Sequence, residues 1–136
     1  MKAKTMVAAA LALALAACAH DMPRQYMTPR KPDWKNPNVH VVDDRYVVVD
    51  QEPIVVPKGN KDDITFQLEH KEGYKFHGDG IRIAAPKGVF DCRMQAGGER
   101  VVCGNSHPVQ DRYKYTIFVR IPSGTVLELD PFIMND

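Results

Sequence analysis

Two cysteines, Cys92 and Cys103, stand five positions before Gly97 and five positions after Gly98. Glycine populates positive φ freely, so Gly-Gly suits the two central positions of a tight hairpin turn. Residues equidistant from such a turn face one another across the ladder, which places Cys92 opposite Cys103. In a hydrogen-bonded pair their Cα atoms would lie about 5.5 Å apart, within disulfide reach. The alternation agrees. Phe90, Cys92 and Met94 share a face with Val101 and Cys103, while Asp91, Arg93, Gln95 and Arg100 point away. This spacing leaves little freedom between residues 90 and 105. They form a β-hairpin.

The rest of the chain follows the same period. Beyond residue 17 there are 14 Val and 7 Ile but 3 Leu and 4 Ala, a balance that suits strands and lacks the good helix formers. Ile64, Phe66 and Leu68 alternate with Thr65, Gln67 and Glu69, and Ile81 and Ile83 flank Arg82. Tyr113, Tyr115, Ile117, Val119 and Ile121 alternate with Lys114, Thr116, Phe118 and Arg120. Phe118 breaks the pattern and predicts partial cover on the second face. Val126 to Leu129 makes another short run. Tyr46 to Val49 and Ile54 to Val56 are apolar on consecutive positions, the pattern of strands covered on both faces. Turn clusters separate these runs: Pro57-Lys58-Gly59-Asn60, Pro86-Lys87-Gly88 and Pro122-Ser123-Gly124. Seven to nine short strands at this spacing predict an all-β, antiparallel β-sandwich, immunoglobulin-like in style, over residues 39–136. A small closed β-barrel is the alternative.

The N-terminus has another character. Lys2 and Lys4 precede an apolar run from Met6 to Ala17, too short to span a bilayer and ending in small residues, which is the pattern of an export signal over residues 1–17. Removing it leaves 16 basic against 17 acidic residues, a balance that argues against general nucleic-acid binding. Leu15-Ala16-Ala17-Cys18 resembles the lipobox of bacterial lipoproteins. The resemblance implies that Cys18 carries a diacylglyceryl group, that cleavage occurs before it, and that its new amine is acylated. This covalent lipid is the single cofactor-like group expected. Two or more buried acyl chains hold a protein stably at a membrane. By the family's sorting rule, Ala19 in place of Asp implies the outer membrane, facing the periplasm. Residues 18–38 then carry Pro23, Pro29, Pro32 and Pro37 and read as a tether, able to reach about 60 Å when extended. Its Arg24, Arg30, Lys31 and Lys35 suit either an anionic lipid surface or a plain solvated spacer, and Tyr26 and Trp34 suit either the membrane interface or a cap on the domain. With Cys18 lipidated in an oxidising compartment, Cys92 and Cys103 are expected to form a disulfide.

Chemistry is sparse. Ser106-His107 is the one adjacent Ser/His pair, but no Gly-x-Ser-x-Gly elbow surrounds it, and neighbours in extended chain seldom face each other. His77-Gly78-Asp79-Gly80 reads as turn chemistry. His77, Asp79 and His107 are weak metal candidates, with His70 and His40 as further contributors, but the spacing between them matches no metal-binding motif. Tyr74, Phe76, Tyr113 and Tyr115 suit either a core or an interface. Tyr113-Lys114-Tyr115-Thr116 followed by Leu129-Asp130-Pro131-Phe132-Ile133-Met134-Asn135 resembles small secreted and lipoprotein β-domains of proteobacteria, a resemblance that implies no catalytic residue. The expectation is a non-catalytic outer-membrane lipoprotein that binds or scaffolds an envelope protein or cell-wall component. A metal-assisted envelope hydrolase using His77, Asp79 and His107, or a small-ligand binder, is the alternative.

Overall fold

Branched residues at every second position lay the described part of the chain into ten strands. The computed structural model describes residues 32–136. The strands are β1 (Asn38–Val42), β2 (Tyr46–Val49), β3 (Ile54–Val56), β4 (Ile64–Leu68), β5 (Lys75–Ile83), β6 (Phe90–Gln95), β7 (Arg100–Asn105), β8 (Asp111–Arg120), β9 (Val126–Leu129) and β10 (Phe132–Asn135). Among the described residues the one helical piece is a 3-10 turn at Ala96–Gly98. The first sheet runs β2-β1-β4-β7-β6, and the second β3-β10-β8-β5 with β9 joined to β8. The result is a β-sandwich and not a closed barrel.

Its ladders are mostly antiparallel, but each sheet contains one parallel pair, β1 with β4 and β10 with β3. The chain explains the first. After the β1–β2 hairpin it crosses to the second sheet for β3 before returning as β4 beside β1, and a crossover permits a parallel neighbour.

The inward faces make one core. Val39, Ile54, Val56, Ile64, Phe66, Val101, Cys103, Ile117, Val119 and Ile133 are fully buried, and Tyr115 lies against Phe66 with ring centroids 5.4 Å apart. Phe118 is half-buried on the other face of β8, where the Arg82 guanidinium sits 5.1 Å over its ring. That is the partial cover its position predicts.

β2 and β3 correct the expectation of double cover. Both are edge strands, and burial along them alternates. Val47 and Val49 point inward, whereas Tyr46 is 61% exposed, Val48 42% and Val55 40%. Consecutive valines look alike whether the second face meets another layer or water, and here it meets water.

The hairpin register is as the spacing predicts. Cys92 faces Cys103, the two are joined by a disulfide, and the ladder runs from Phe90–Asn105 to Gln95–Arg100. Gly97 (φ 63°) and Gly98 (φ 90°) take the turn positions, and the Glu99 N–H donates to the Ala96 carbonyl at 3.3 Å. One local difference follows from Ala96, whose φ is 50°, so that the ladder ends one pair earlier than a two-residue loop allows. This changes the hydrogen-bond phase. The cysteine Cα atoms lie 3.9 Å apart, the close spacing of a non-hydrogen-bonded pair rather than the wider spacing expected.

Pro32–Asp136 make one compact unit, which includes the residues just before β1. The Lys35 and Pro37 carbonyls accept from Thr65 and Gln67 of β4, the Gln51 side chain donates to the Asp33 carbonyl at 2.6 Å, and Trp34 packs against the core. Pro37 thus sits beside β4 just before β1, a place compatible with its missing N–H. The export signal, Cys18 and the tether as far as Lys31, with Tyr26, lie outside the described residues.

His77-Gly78-Asp79-Gly80 is not a turn between strands. It is a bulge inside β5: Phe76 faces Val119 and Ile81 faces Ile117, so three extra residues are absorbed on one side. Gly80 makes this possible with φ 72°, and a Cβ there would stand 2.7 Å from Val101 Cγ2 and 3.1 Å from Met94 Cε. Gly80→Ala is therefore expected to cost about 2 kcal/mol or more, combining left-handed strain with overpacking. Urea unfolding should show a lower midpoint, while Gly78→Ala, whose Cβ meets open space, should cost less.

Candidate functional site

The sequence candidates separate in space rather than converge. His107 follows β7 with φ 43° and is buried. Its Nδ1 lies 2.8 Å from the Asn60 main-chain oxygen and its Nε2 2.9 Å from that of Asp136. Its own N–H donates to the Asn105 side-chain oxygen at 2.9 Å. Both ring nitrogens face main-chain acceptors. A neutral ring donates to one of them, and a ring carrying both protons donates to both. Neither arrangement leaves a nitrogen for Ser106, whose hydroxyl donates to the Val89 carbonyl at 3.2 Å. The Ser/His pair is structural.

Beside His107 the Asn105 and Asn135 side chains are buried and bond reciprocally: Asn105 Nδ2 donates to Asn135 Oδ1 at 2.8 Å, and Asn135 Nδ2 to Asn105 Oδ1 at 3.3 Å. Asn105 ends β7 in the first sheet, and Asn135 ends β10 in the second. The cluster therefore ties the two layers together at one end of the sandwich. The sequence contained this information only as two isolated strand-end asparagines, a signal too common to single out.

His77 and Asp79 are exposed on the β5 bulge, where the Asp79 carboxylate lies 4.0 Å from Arg82. His40 pairs with Glu69 at 3.2 Å, and His70 with Glu99 at 3.0 Å. Glu99 also receives Lys75 at 2.9 Å. The bonds from Lys75 and then His70 hold its carboxyl below the usual range. Among the described residues no group of three His, Cys, Asp or Glu side chains stands close enough to hold a metal ion. His77 and Asp79 lie on β5 and His107 follows β7, and the three do not meet in such a group.

The aromatic positions also divide. Phe76, Tyr113 and Tyr115 are core residues. The Tyr115 hydroxyl is buried without a hydrogen-bond partner, and burial, followed by the nearby Glu52 and Asp50, drives its ionisation far above the usual phenol range. Tyr74 donates to Asp44, whose carboxylate raises the phenol and fixes it at the surface, with Lys71 over its ring. Among the described residues the exposed aromatic is instead Tyr46. It faces Val42 across the β1–β2 ladder, beside the His40–Val48 pair, and Val42, Tyr46 and Val48 form an apolar strip on the outer face of an edge hairpin. The doubled valines had disguised it as a buried strand.

One cleft of about 350 Å³ lies between Trp34, Pro53 and Val55 with Asp50 and Glu52 at its rim, and another of about 320 Å³ lies beside His70, Glu99 and Arg100. Neither is lined by a Ser, Thr or Cys. A third, of about 400 Å³, lies beside Lys61, Asp63, Asp91 and Ser106, and the Ser106 hydroxyl there donates to the Val89 carbonyl.

No protein-family model matches the chain, and no curated protein is similar to it. Its functional reading rests on its own residues.

The His107 clamp makes a measurable claim. His107→Ala removes the buried ring that reaches the Asn60 and Asp136 main-chain oxygens and is expected to cost about 1–2 kcal/mol, through the lost hydrogen bonding and the cavity left behind. Urea denaturation should report a lower midpoint with an unchanged slope.

Proposed function

We propose that the chain is a non-catalytic outer-membrane lipoprotein whose sandwich domain binds or scaffolds another component of the cell envelope from the periplasmic side. The observation that carries the recognition half is the apolar strip of Val42, Tyr46 and Val48 on an edge hairpin. Three large apolar side chains share one face there, beside a strand whose outer backbone groups no other strand among the described residues engages. Exposed strand edges accept a further strand through main-chain hydrogen bonds, and an aromatic with a polar tip is a favourable anchor at such a contact. The anchoring half is supported by Leu15-Ala16-Ala17-Cys18 and the basic, apolar stretch before it. A partner protein or cell-wall component presented near the membrane is the occupant this arrangement suits.

Two measurements test the halves separately. Cys18→Ser is expected to abolish labelling by a radioactive or clickable fatty acid and to leave an uncleaved precursor; labelling that persists would refute the anchor. A photo-crosslinking residue at Tyr46 is expected to capture a discrete envelope component in intact cells, whereas the same residue at Lys58 is not. Equal capture at both positions, or none at Tyr46, would refute the binding surface.

A further inference from the structure

Among the described residues, the second free edge of the first sheet is β6, bonded to β7 on one side and to no strand on the other. Its backbone phase is fixed by two observations. The Ser106 N–H donates to the Val89 carbonyl at 2.9 Å, so the pair just before the strand is hydrogen-bonded. The 3.9 Å separation of Cys92 and Cys103 marks that pair as non-hydrogen-bonded. Alternation then turns the N–H and C=O groups of Phe90, Cys92 and Met94 away from β7, toward the open edge. The side chains of Asp91, Arg93 and Gln95 are exposed on the outer face, and Met94 is 36% exposed on the other. Neither Asp91 nor Arg93 has an ion-pair partner among the described residues.

We propose that β6 is a self-association edge: two copies of this chain join their first sheets by pairing β6 with β6 antiparallel about a two-fold axis at Cys92. In that register Asp91 stands opposite Arg93 of the second copy, and Arg93 opposite its Asp91. Phe90 stands opposite Met94 of the second copy, and Met94 opposite its Phe90. The outward-pointing backbone groups at positions 90, 92 and 94 meet those at 94, 92 and 90, closing the hydrogen bonds that the edge leaves open. The charged pairs fall at the non-hydrogen-bonded sites, where side chains come closest. Both faces are thus complementary in one alignment: ion pairs outside, and apolar pairs inside that extend the core.

The charges also select this register over its neighbours. A sheet continued across a two-fold axis keeps side chains on their own face, so the register moves in steps that recentre the axis by one residue. Centred on Asp91, the strand would oppose Asp91 to Asp91. Centred on Arg93, it would oppose Arg93 to Arg93. Like charges directly opposite are unfavourable. A closed two-fold pair also uses up the edge, so association stops at two copies through this strand. The proposal is independent of the lipid anchor and of any partner at Tyr46.

Sedimentation of the full chain over micromolar to millimolar concentrations tests it. The wild type is expected to show a monomer–dimer equilibrium. Arg93→Asp, and separately Asp91→Arg, should weaken it roughly tenfold or more, by turning attraction into repulsion. The double exchange Asp91→Arg with Arg93→Asp should restore it, because the complementary pairs are rebuilt with reversed sign. An intact disulfide and an unchanged urea midpoint establish that each variant is folded. A wild type that stays monomeric throughout, a dimer indifferent to either single reversal, or a double exchange that fails to recover association would each overturn the proposal.

Discussion

The sandwich depends on a polar bond buried at one of its ends. Asn105 and Asn135 exchange hydrogen bonds between the last residues of β7 and β10, and His107 completes the cluster by bonding Asn105 and reaching Asn60 and Asp136. Apolar contacts hold two sheets together without choosing how they are aligned, since hydrophobic burial is non-directional. Reciprocal amide bonds with fixed geometry do choose, and leaving them unmade in a buried place costs more than a typical contact provides. Two strand ends, a loop from Asn60 and the final residue are positioned at once. The residue that looked most like catalytic equipment, His107, spends its ring on this task.

Once the layers are fixed in place, the sheet edges are what they leave over. Sheet edges at β2 and β6 carry different chemistries on one sheet: apolar side chains at Val42, Tyr46 and Val48, and alternating charge with Phe90 and Met94 at the other edge. The proposed function and self-association assign recognition to these rims. Several ionisable groups form surface pairs, among them Lys35–Asp62, Lys75–Glu99 and Lys114–Asp130. Bonds and charge from Lys35 hold the Asp62 carboxyl below its ordinary range, as Thr116 and Lys114 do for Asp130. Such pairs at the surface contribute little to stability.

Much of the fold was legible because strand periodicity is local. The Cys92–Cys103 pairing, the core positions of β4 and β8 and the half-cover of Phe118 all follow from alternation and a turn, which involve residues near in sequence. The double-cover reading of Tyr46–Val49 failed because cover on a second face is a property of distant neighbours. The Gly78-Asp79-Gly80 bulge was missed for a related reason: its extra residues are visible only against β8, on which the register is counted. Trp34 was ambiguous between membrane and domain until Lys35 and Pro37 were seen bonded to β4.

The sequence by itself determined an all-β domain and the facing cysteines, since each is written in spacing over a few residues. Tertiary structure alone decided which strands are edges, that Tyr46 faces solvent while Tyr115 lies buried, and that His77, Asp79 and His107 stay apart. Those outcomes depend on how two layers stack and which strand ends last in each. Alternation fixes which side chains share a face, and only the assembled sandwich fixes what that face meets.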